Sequence, residues 1–366
     1  MELAPYFEVI YLIMCSFVLM KVATRYEQFV TEDSLFDSDY STSKYPFILF
    51  FVIFFVGFRP VHNVFADMVG YNFSYLQKMD SEWQLILTDS ESPVFDNLFN
   101  ISASLGIPAT FFFLLVALVY FLCMFLACKK IFPTHYELAF LVCLTAFSTF
   151  SYGTNGIRAG AAGSIFLLAL AYKDKLWLTI LLSLISWGFH HSMSIVLLAY
   201  ITVRFCKKTE WFFYVWLIAL LMSALHISSL QVLFAEYTNK KGASYLLPQG
   251  DGAFLTGFRP DFIFYSAVPV IIGFWFVYKK KIANEEYTLW LRMYLLTNSL
   301  WMFCMYASFS NRIAYLSWFL YPIVLIYPYI AFYWDEQQLF YAKKVAIYHM
   351  FFTLFMCIVY YQFIKS

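Results

Sequence analysis

Long apolar runs recur from one end of this chain to the other, separated only by short polar breaks. Hydrophobic residues make up 62% of the 366 positions and charged residues only 13%, about half of the charge that soluble domains carry. A run of about 20 apolar residues crosses a bilayer as a helix, because a helix satisfies its own backbone hydrogen bonds inside hydrocarbon. The sequence therefore predicts an all-α integral membrane protein, with residues 1–366 forming a single polytopic membrane domain.

We expect about twelve transmembrane helices, within a range of 11–13. The N-terminal run has no basic region and no small-residue cleavage site, so it is predicted to be a retained first span and not a signal peptide. The predicted spans are 4–20, 45–58, 107–127, 136–151, 157–172, 175–189, 191–204, 210–226, 261–278, 286–306, 312–330 and 344–363.

Lysine and arginine are distributed unequally between the two sets of alternate loops, fifteen against eight. The richer set is predicted to lie in the cytoplasm, which also places both chain ends outside. Two longer loops, 59–106 and 227–260, are then external. In the first, Ser92-Pro93 followed by apolar residues at four-three-four spacing predicts a short amphipathic helix in the outer interface. The second resembles a mobile flap in composition.

Four of the seven arginines lie at the edges of apolar runs, all in loops predicted to be external: Arg59, Arg158, Arg259 and Arg312. An arginine beside hydrocarbon is energetically unfavourable, and such residues typically mark a functional site. Its planar guanidinium can donate two hydrogen bonds to one phosphate group. The pattern favours a phosphate-bearing ligand that is held by cations converging on one face of the membrane.

Residues 155–163, Asn-Gly-Ile-Arg-Ala-Gly-Ala-Ala-Gly, open a predicted helix on this outer face. Free backbone N–H groups at a helix N-terminus attract anions, whereas the same helix end repels the cation of Arg158. A bound anion would resolve this conflict. The alternative is a tight helix-packing seam with an interfacial arginine.

Five short motifs occur in a characteristic order. They are Arg59 with Asp67 and Tyr71, then Gly156-Ile157-Arg158, Phe189-His190-His191-Ser192, Phe258-Arg259-Pro260-Asp261-Phe262, and Asn311-Arg312-Ile313-Ala314-Tyr315. Together they resemble the EpsG-like branch of the Wzy O-antigen and exopolysaccharide polymerases, over most of the chain.

The resemblance implies a multi-pass enzyme of the bacterial cytoplasmic membrane with its active site facing the periplasm. It would transfer a growing glycan from undecaprenyl diphosphate to a hydroxyl of another lipid-linked repeat unit. Its partners would be the lipid-linked oligosaccharide donor and acceptor and the membrane lipid. The resemblance also allows a chain-length regulator protein as a partner. Nothing in the charge pattern indicates nucleic acid, and neither a cofactor nor a metal is expected, since no metal-ligand spacing or nucleotide fingerprint occurs.

The candidate residues divide into two groups. The proposed catalytic group is His190, Asp67, Arg158 and Arg312, with His190 the first choice for the base and Asp67 the second. The proposed substrate-binding group is Arg59, Arg259, Asp261, Asn155, Tyr71, Tyr152 and Tyr315, the tyrosines as platforms for sugars. Plainer alternatives stay open: Arg259 paired with Asp261, Arg59 lying at the interface beyond Phe58, and His190 as a structural residue.

Two other functions compete with polymerisation. An O-antigen ligase would use the same donor, but its catalytic residues usually lie in one larger periplasmic loop, whereas here they spread over five loops. A transporter or flippase for lipid-linked glycan should bury charges at mid-bilayer and show repeated halves with broken helices. The only internal echo is Gly-Phe-Arg-Pro at 57–60 and 257–260, so an enzyme is favoured.

Overall fold

The computed structural model describes residues 3–37, 40, 42–79, 81–86, 90–236, 257–308 and 310–358, and only the backbone of 233–236. This part of the chain is helical and contains no strand. Most of the predicted flap at 227–260 lies outside the described residues.

The helices, in chain order, carry the labels used below. They are α1 (Phe7–Ala23, preceded by a 3₁₀ turn Ala4–Tyr6), α2 (Glu32–Leu35), α3 (Phe47–Gly57), α4 (Asp67–Lys78, preceded by a 3₁₀ turn Asn63–Phe65), α5 (Pro93–Ser104), α6 (Ala109–Ile131), α7 (Tyr136–Leu144), α8 (Thr149–Thr154), α9 (Ile157–Ala171), α10 (Leu176–Phe189), α11 (Met193–Phe205), α12 (Thr209–Ala224), α13 (Ser229–Glu236), α14 (Pro260–Phe274, extended by a π turn Trp275–Lys279), α15 (Glu285–Phe303), α16 (Ser310–Trp318), α17 (Tyr321–Ile330) and α18 (Gln338–Leu354).

Within the described residues, each predicted span coincides with helix over most of its length. Four helical stretches there are long and apolar enough to cross a membrane: Ala4–Ala23, Ala109–Ile131, Pro260–Lys279 and Ser310–Ile330. Five shorter apolar helices accompany them, α3 and α9 to α12. The chain is thus an all-helical protein with membrane-spanning helices, and twelve crossings remain a prediction. In the loop 59–106, which was predicted to be external, the expected helix begins at Pro93 after Ser92, and a second helix, α4, precedes it.

The chain forms two compact units, one of Met1–Met193 with Tyr329–Ser366 and one of Ser194–Pro328. In the first unit α9 is the central helix, buried at every position from Gly160 to Ala171 and packed against α6 and α10. Its small side chains let neighbouring helices approach closely. The hydroxyl of Ser186 in α10 donates to the Ala162 carbonyl at 2.7 Å, which joins the two helices.

The connections between helices of the first unit are joined by contacts into two groups, one at each end of α6. At one end the Arg59 side chain reaches Thr154, the Tyr75 hydroxyl donates to the Ile107 carbonyl, and Gly188 lies against Val94. We call this the arginine end; it comprises the described residues of 57–107, 154–158 and 188–192. The opposite, glutamate end comprises the described residues of 24–45, 131–137 and 171–176.

Glu137 organises the glutamate end. Its Oε1 accepts hydrogen bonds from the Ser43 hydroxyl at 2.7 Å and from the backbone N–H groups of Lys44 and Tyr45 at 3.1 and 2.9 Å. Its Oε2 pairs with the Arg25 guanidinium at 3.1 Å. Because the carboxylate is buried, these partners replace the water it loses. The segment that leads into α3 is therefore fastened to the start of α7.

His135 adds a second link at the same end. Its Nε2 lies 2.8 Å from the Leu35 carbonyl, which requires a proton on that nitrogen, and its Nδ1 lies 3.1 Å from the Tyr26 hydroxyl. Burial lowers the pKa of His135 to about 4. The ring is therefore neutral at physiological pH and ties the 24–36 segment to the α6–α7 connection.

The fourth predicted span is broken, because α7 ends at Leu144 and α8 begins only at Thr149. Such a break leaves carbonyl groups without their helical partners. Side chains supply the missing donors: the Tyr11 hydroxyl bonds the Leu144 carbonyl at 3.0 Å and the Thr149 hydroxyl bonds the Cys143 carbonyl at 2.6 Å. The Tyr120 hydroxyl also bonds the Thr149 carbonyl at 3.2 Å, so α1 and α6 both contact the break.

The second unit is held by buried polar contacts between apolar helices. In one set, Trp216 Nε1 donates to Asn298 Oδ1 at 2.9 Å and Asn298 Nδ2 donates to Ser317 Oγ at 3.0 Å, joining α12, α15 and α16. In the other, Trp318 Nε1 donates to Ser266 Oγ and the Tyr294 hydroxyl donates to the Ser266 carbonyl, both at 2.9 Å, joining α14 to α16 and α15. Interhelical hydrogen bonds of this kind fix the register of helices whose surfaces are otherwise uniformly apolar.

We predict that Glu137→Gln destabilises the protein. The substitution removes the charge that pairs with Arg25 and one of the two acceptor oxygens, a loss of about 2 kcal/mol. Thermal unfolding in detergent should occur several degrees below that of the unmodified protein. The matched control is Glu32→Gln, at an exposed position of the same segment, for which no shift is expected. Equal unfolding temperatures for the two variants would contradict the role assigned to Glu137.

Candidate functional site

Arg59 lies at the arginine end, two residues after α3, and is only 1% exposed. Its Nη1 donates to the Val56 carbonyl at 2.8 Å and its Nη2 to the Thr154 carbonyl at 2.9 Å. Both carbonyls lie in the last turns of helices, where a cation is stabilised by the helix dipole. Burial lowers the pKa of Arg59 to about 9, so it stays charged at neutral pH. Arg59 thus joins the end of α3 to the end of α8.

The repeated tetrapeptide places its second arginine differently. Arg259, in the second unit, forms a double hydrogen bond with Asp261, Nε to Oδ1 at 2.9 Å and Nη2 to Oδ2 at 2.6 Å. Its guanidinium also lies 3.7 Å from the centroid of the Phe262 ring. The ion pair that the sequence left open is therefore formed. The same Gly-Phe-Arg-Pro sequence thus has different contacts: Arg59 donates to two backbone carbonyl groups, and Arg259 forms an ion pair with Asp261.

Arg158 occupies the first turn of α9, which contains no acidic residue. Its Nε donates to the Tyr71 hydroxyl at 2.9 Å, and its guanidinium carbon lies 5.6 Å from the Tyr71 ring centroid and 5.7 Å from that of Phe95. Aromatic faces attract cations and restrict their motion. The structure thus brings together two candidate residues that are 87 positions apart, and holds the guanidinium by its Nε edge.

Phe95 connects this arginine to the neighbouring elements. Its ring centroid lies 6.0 Å from that of Tyr71, 5.5 Å from Phe112 and 6.2 Å from Phe189. Phe189 ends α10 and directly precedes His190. The start of α9, one face of α4 and the end of α10 therefore all pack around the Phe95 ring. Phe95 was not among the candidate residues predicted from the sequence.

The small residues that open α9 have an observed packing role. A Cβ at Gly156 would lie 2.7 Å from Cδ1 of Tyr152, and one at Gly160 would lie 2.4 Å from the Tyr152 carbonyl oxygen. Positions 156 and 160 therefore form a tight seam against α8, with Tyr152 buried in it at 7% exposure. Asn155, which directly precedes Gly156, has a buried Oδ1 that receives no hydrogen bond from the described residues. The same segment therefore contains both the tight helix packing at positions 156 and 160 and the side chain of Arg158.

His190 follows α10 in an extended conformation, with φ −156° and ψ 117°. Its Nδ1 lies 2.6 Å from the Ser192 hydroxyl and 3.3 Å from the Ser192 backbone nitrogen, whose N–H points at it. The imidazole is half-buried. A short local turn thus fixes the orientation of the first-choice base.

Asp67 is the first residue of α4, and Tyr71 lies four positions later. Residues at this spacing lie on the same face of a helix. Since Tyr71 contacts Arg158, the half-buried Asp67 carboxylate belongs to the helix face nearest to that arginine. The second-choice base and the arginine therefore lie in one region of the first unit.

In the second unit, Arg312 lies in the first turn of α16 and is exposed. Tyr315, one turn later, is buried at 2% exposure, so a sugar could stack on it only after its surroundings had opened. The backbone N–H of Arg259 points at the Met305 sulfur at 3.3 Å, which puts the start of α14 beside the segment before α16. Arg259 and Arg312 thus lie at the same end of this unit.

The comparisons with known proteins test the family resemblance. The EpsG family model matches residues 44–365, which is most of the chain. The chain belongs to the EpsG family. No curated protein and no solved structure matches it. The EpsG match includes all eleven candidate residues and both units, and with the apolar helices it identifies a helical membrane protein. Within the described ranges, no group of three His, Cys, Asp or Glu side chains could hold a metal ion.

Two contacts of the candidate site, those of Phe95 and Ser192, were not predicted from the sequence. Phe95 is one of 44 phenylalanines, and no local pattern distinguishes it from those that pack or face lipid. Ser192 stood inside a recognised motif, and its spacing of two residues from a histidine permits a side-chain to backbone turn. That spacing was the available signal.

Arg59 and Arg158 should respond differently to removal. We predict that Arg59→Ala lowers the free energy of unfolding by about 3 kcal/mol, because two buried carbonyl groups lose a charged donor. Arg158→Ala, at a half-buried helix start, should change it by less than about 1 kcal/mol. Thermal unfolding of the purified variants in the same detergent measures both. A stable Arg59→Ala protein would contradict the link between α3 and α8 described above.

Proposed function

We propose that this protein is a polysaccharide polymerase that acts on the outer face of the bacterial cytoplasmic membrane. It transfers a growing glycan from undecaprenyl diphosphate to a hydroxyl of a lipid-linked repeat unit. Membership of the EpsG family and the membrane-spanning helices support the class of function. The donor, the acceptor and the face of the membrane are part of the proposal.

One contact carries the proposal: the guanidinium of Arg158, held by the Tyr71 hydroxyl and two aromatic rings at the N-terminus of α9. The helix dipole disfavours a cation at this end of α9. Together with the helix N-terminus, Arg158 forms a site that suits phosphate oxygens. Because its Nε edge is bound to Tyr71, the guanidinium has a defined orientation before any ligand arrives.

The reaction balances without a further reactant. The acceptor hydroxyl oxygen forms a bond to the anomeric carbon of the donor glycan while the bond from that carbon to the diphosphate oxygen breaks. The electron pair of the broken bond leaves with undecaprenyl diphosphate, and the hydroxyl proton passes to a base, His190 or Asp67. The products are a longer lipid-linked glycan, undecaprenyl diphosphate and one proton.

The leaving group explains why cations matter more than any other group in this reaction. Negative charge develops on the diphosphate as the bond breaks, and a preorganised donor in a water-poor site lowers the barrier by several kcal/mol. Arg158 fills that role in the first unit. For Arg259 and Arg312 the same role is proposed on the family motif. Tyr152, Tyr315, Asn155, Asp261 and Arg59 remain proposed ligands of the glycan or diphosphate.

Arg158→Ala should abolish long polymer while the folded protein persists. Removing one oxyanion donor typically lowers the rate 10²–10³-fold, so the expected product in proteoliposomes fed with undecaprenyl-diphosphate-linked repeat units is unpolymerised substrate. Arg158→Lys keeps the charge but not the fork, and about a tenfold loss is expected. Single alanine variants at Arg259, Arg312 and His190 extend the test.

The matched control is Arg204→Ala, at an exposed position near the end of α11 on the predicted cytoplasmic side; it should give a normal ladder. In the native host, lipopolysaccharide is separated by gel. Normal ladders from the Arg158, Arg259, Arg312 and His190 variants together would refute the site. Loss of single-unit caps as well as of long chains would favour a ligase or a flippase over a polymerase.

Tyr71→Phe isolates the contact that carries the proposal. The ring and its packing remain, and the hydrogen bond from Arg158 is lost. A contribution of about 1.4 kcal/mol to the transition state corresponds to a tenfold lower rate, measured as initial polymerisation at saturating donor. The unfolding temperature should not change. An unaltered rate in Tyr71→Phe would show that this bond does not orient a catalytic arginine.

A further inference from the structure

The hydroxyl of Ser192 has an unusual hydrogen-bond partner. Ser192 directly precedes α11, the position where serine normally caps a helix by accepting from a backbone N–H of the first turn. Within the described part of the chain, its hydroxyl instead lies 2.6 Å from Nδ1 of His190, two residues back. A residue placed to stabilise a helix end is therefore bound to the imidazole.

The two contacts of Nδ1 agree on the position of the proton. The N–H of Ser192 is directed at Nδ1 of His190 at 3.3 Å, and an N–H can only donate. The hydroxyl lies closer, at 2.6 Å, and can donate to the same nitrogen. With both donors directed at Nδ1, the neutral ring carries its proton on Nε2.

A comparison within the chain separates this arrangement from an ordinary turn. His62 also accepts from the backbone N–H two residues later, Val64, at 3.2 Å, and there the later residue has no hydroxyl. The backbone contact alone is thus a local capping device that recurs. The serine hydroxyl is what His190 has and His62 lacks.

We propose that Ser192 is a positioning residue that holds His190 with its proton on Nε2. The inference rests on the polymerase function proposed above and assigns the roles within it. His190 then presents an N–H to the departing diphosphate oxygen as a hydrogen-bond donor. The proton of the acceptor hydroxyl passes to the Asp67 carboxylate, on the helix face that carries Tyr71. Bonds formed and broken at the anomeric carbon are unchanged.

The first test reads the tautomer directly and needs no activity. Protein with ¹⁵N-labelled histidine is reconstituted in bilayers, and the His190 signals are assigned by their loss in His190→Asn. Solid-state NMR should show Nδ1 without a proton and Nε2 with one. Ser192→Thr, which keeps a hydroxyl, should preserve this pattern. Ser192→Asp keeps the backbone N–H but replaces the hydroxyl with a carboxylate, which only accepts. If the hydroxyl at 2.6 Å, and not the longer backbone contact at 3.3 Å, sets the tautomer, the proton should move to Nδ1.

The second test measures polymerisation by the same variants across pH. Ser192→Ala and Ser192→Asp should lower kcat about tenfold or more, with KM for the lipid-linked donor little changed, and Ser192→Thr should recover most of the rate. In Asp67→Asn, the fall of the rate at low pH that reports a single basic group should disappear. In His190→Gln, which retains an N–H donor, that fall should persist. A purely structural Ser192 would shift the unfolding temperature without this kcat pattern.

The two possible failures are distinguishable. A proton on Nδ1 of His190 in the unmodified protein, or an unchanged tautomer in Ser192→Asp, would overturn the positioning role whatever the activity. The predicted tautomers together with full polymerisation by Arg158→Ala and His190→Ala would instead overturn the polymerase site while leaving the Ser192 contact intact. If the fall of the rate at low pH disappears in His190→Gln and persists in Asp67→Asn, His190 is the base. The assignment of Asp67 as the base is then refuted.

Discussion

Every backbone polar group within these apolar helices must find its partner inside the protein, because hydrocarbon provides none. The broken fourth span shows how strongly this constraint acts. Its carbonyl groups at Leu144 and Thr149 are bonded by tyrosine hydroxyls from α1 and α6, and the Val142 carbonyl lies 3.2 Å from Nε2 of His349 in α18. A helix interruption that would be costly alone thus becomes a junction where four elements are fixed in register.

The same constraint separates the arginines by what they do. Arg59 is buried and donates to helix carbonyls, and Arg259 is paired with a carboxylate, so both have protein partners that offset their burial. Arg158 lies in the first turn of α9, where its Nε donates to the Tyr71 hydroxyl and its guanidinium lies near the rings of Tyr71 and Phe95. This place at a helix N-terminus suits the anion of the proposed function.

Broken helices were expected of a transporter, and α7–α8 as well as α16–α17 are interrupted. The first break, however, is closed by side-chain donors from its own unit. In transporters the unwound backbone typically coordinates the cargo, whereas here the Ala146 and Ser148 carbonyls accept from the backbone and the Leu144 carbonyl accepts from Tyr11. The α7–α8 interruption therefore serves the packing of the first unit, and the enzyme interpretation continues to fit better than the carrier.

Particular residues show how far the sequence could be interpreted. The twelve apolar runs were recognisable as helix, and Pro93 was recognisable as a helix start, because length, composition and local backbone chemistry determine them. The ordered motifs were enough to indicate the EpsG family, which the family model confirmed over 44–365. The break at residues 145–148 was not predicted, since its apolar composition is that of a continuous span and only tyrosines from distant helices make it tolerable.

The sequence by itself determined that the chain is an all-helical membrane protein of this family and that arginines lie at helix edges, because these depend on local composition and spacing. Only the tertiary structure decided what each arginine contacts. Gly-Phe-Arg-Pro occurs twice, yet Arg59 meets the Thr154 carbonyl, 95 residues away, while Arg259 meets Asp261 beside it. A guanidinium takes whichever acceptor the packed helices bring within about 3 Å, and long-range packing is not encoded in any four-residue pattern.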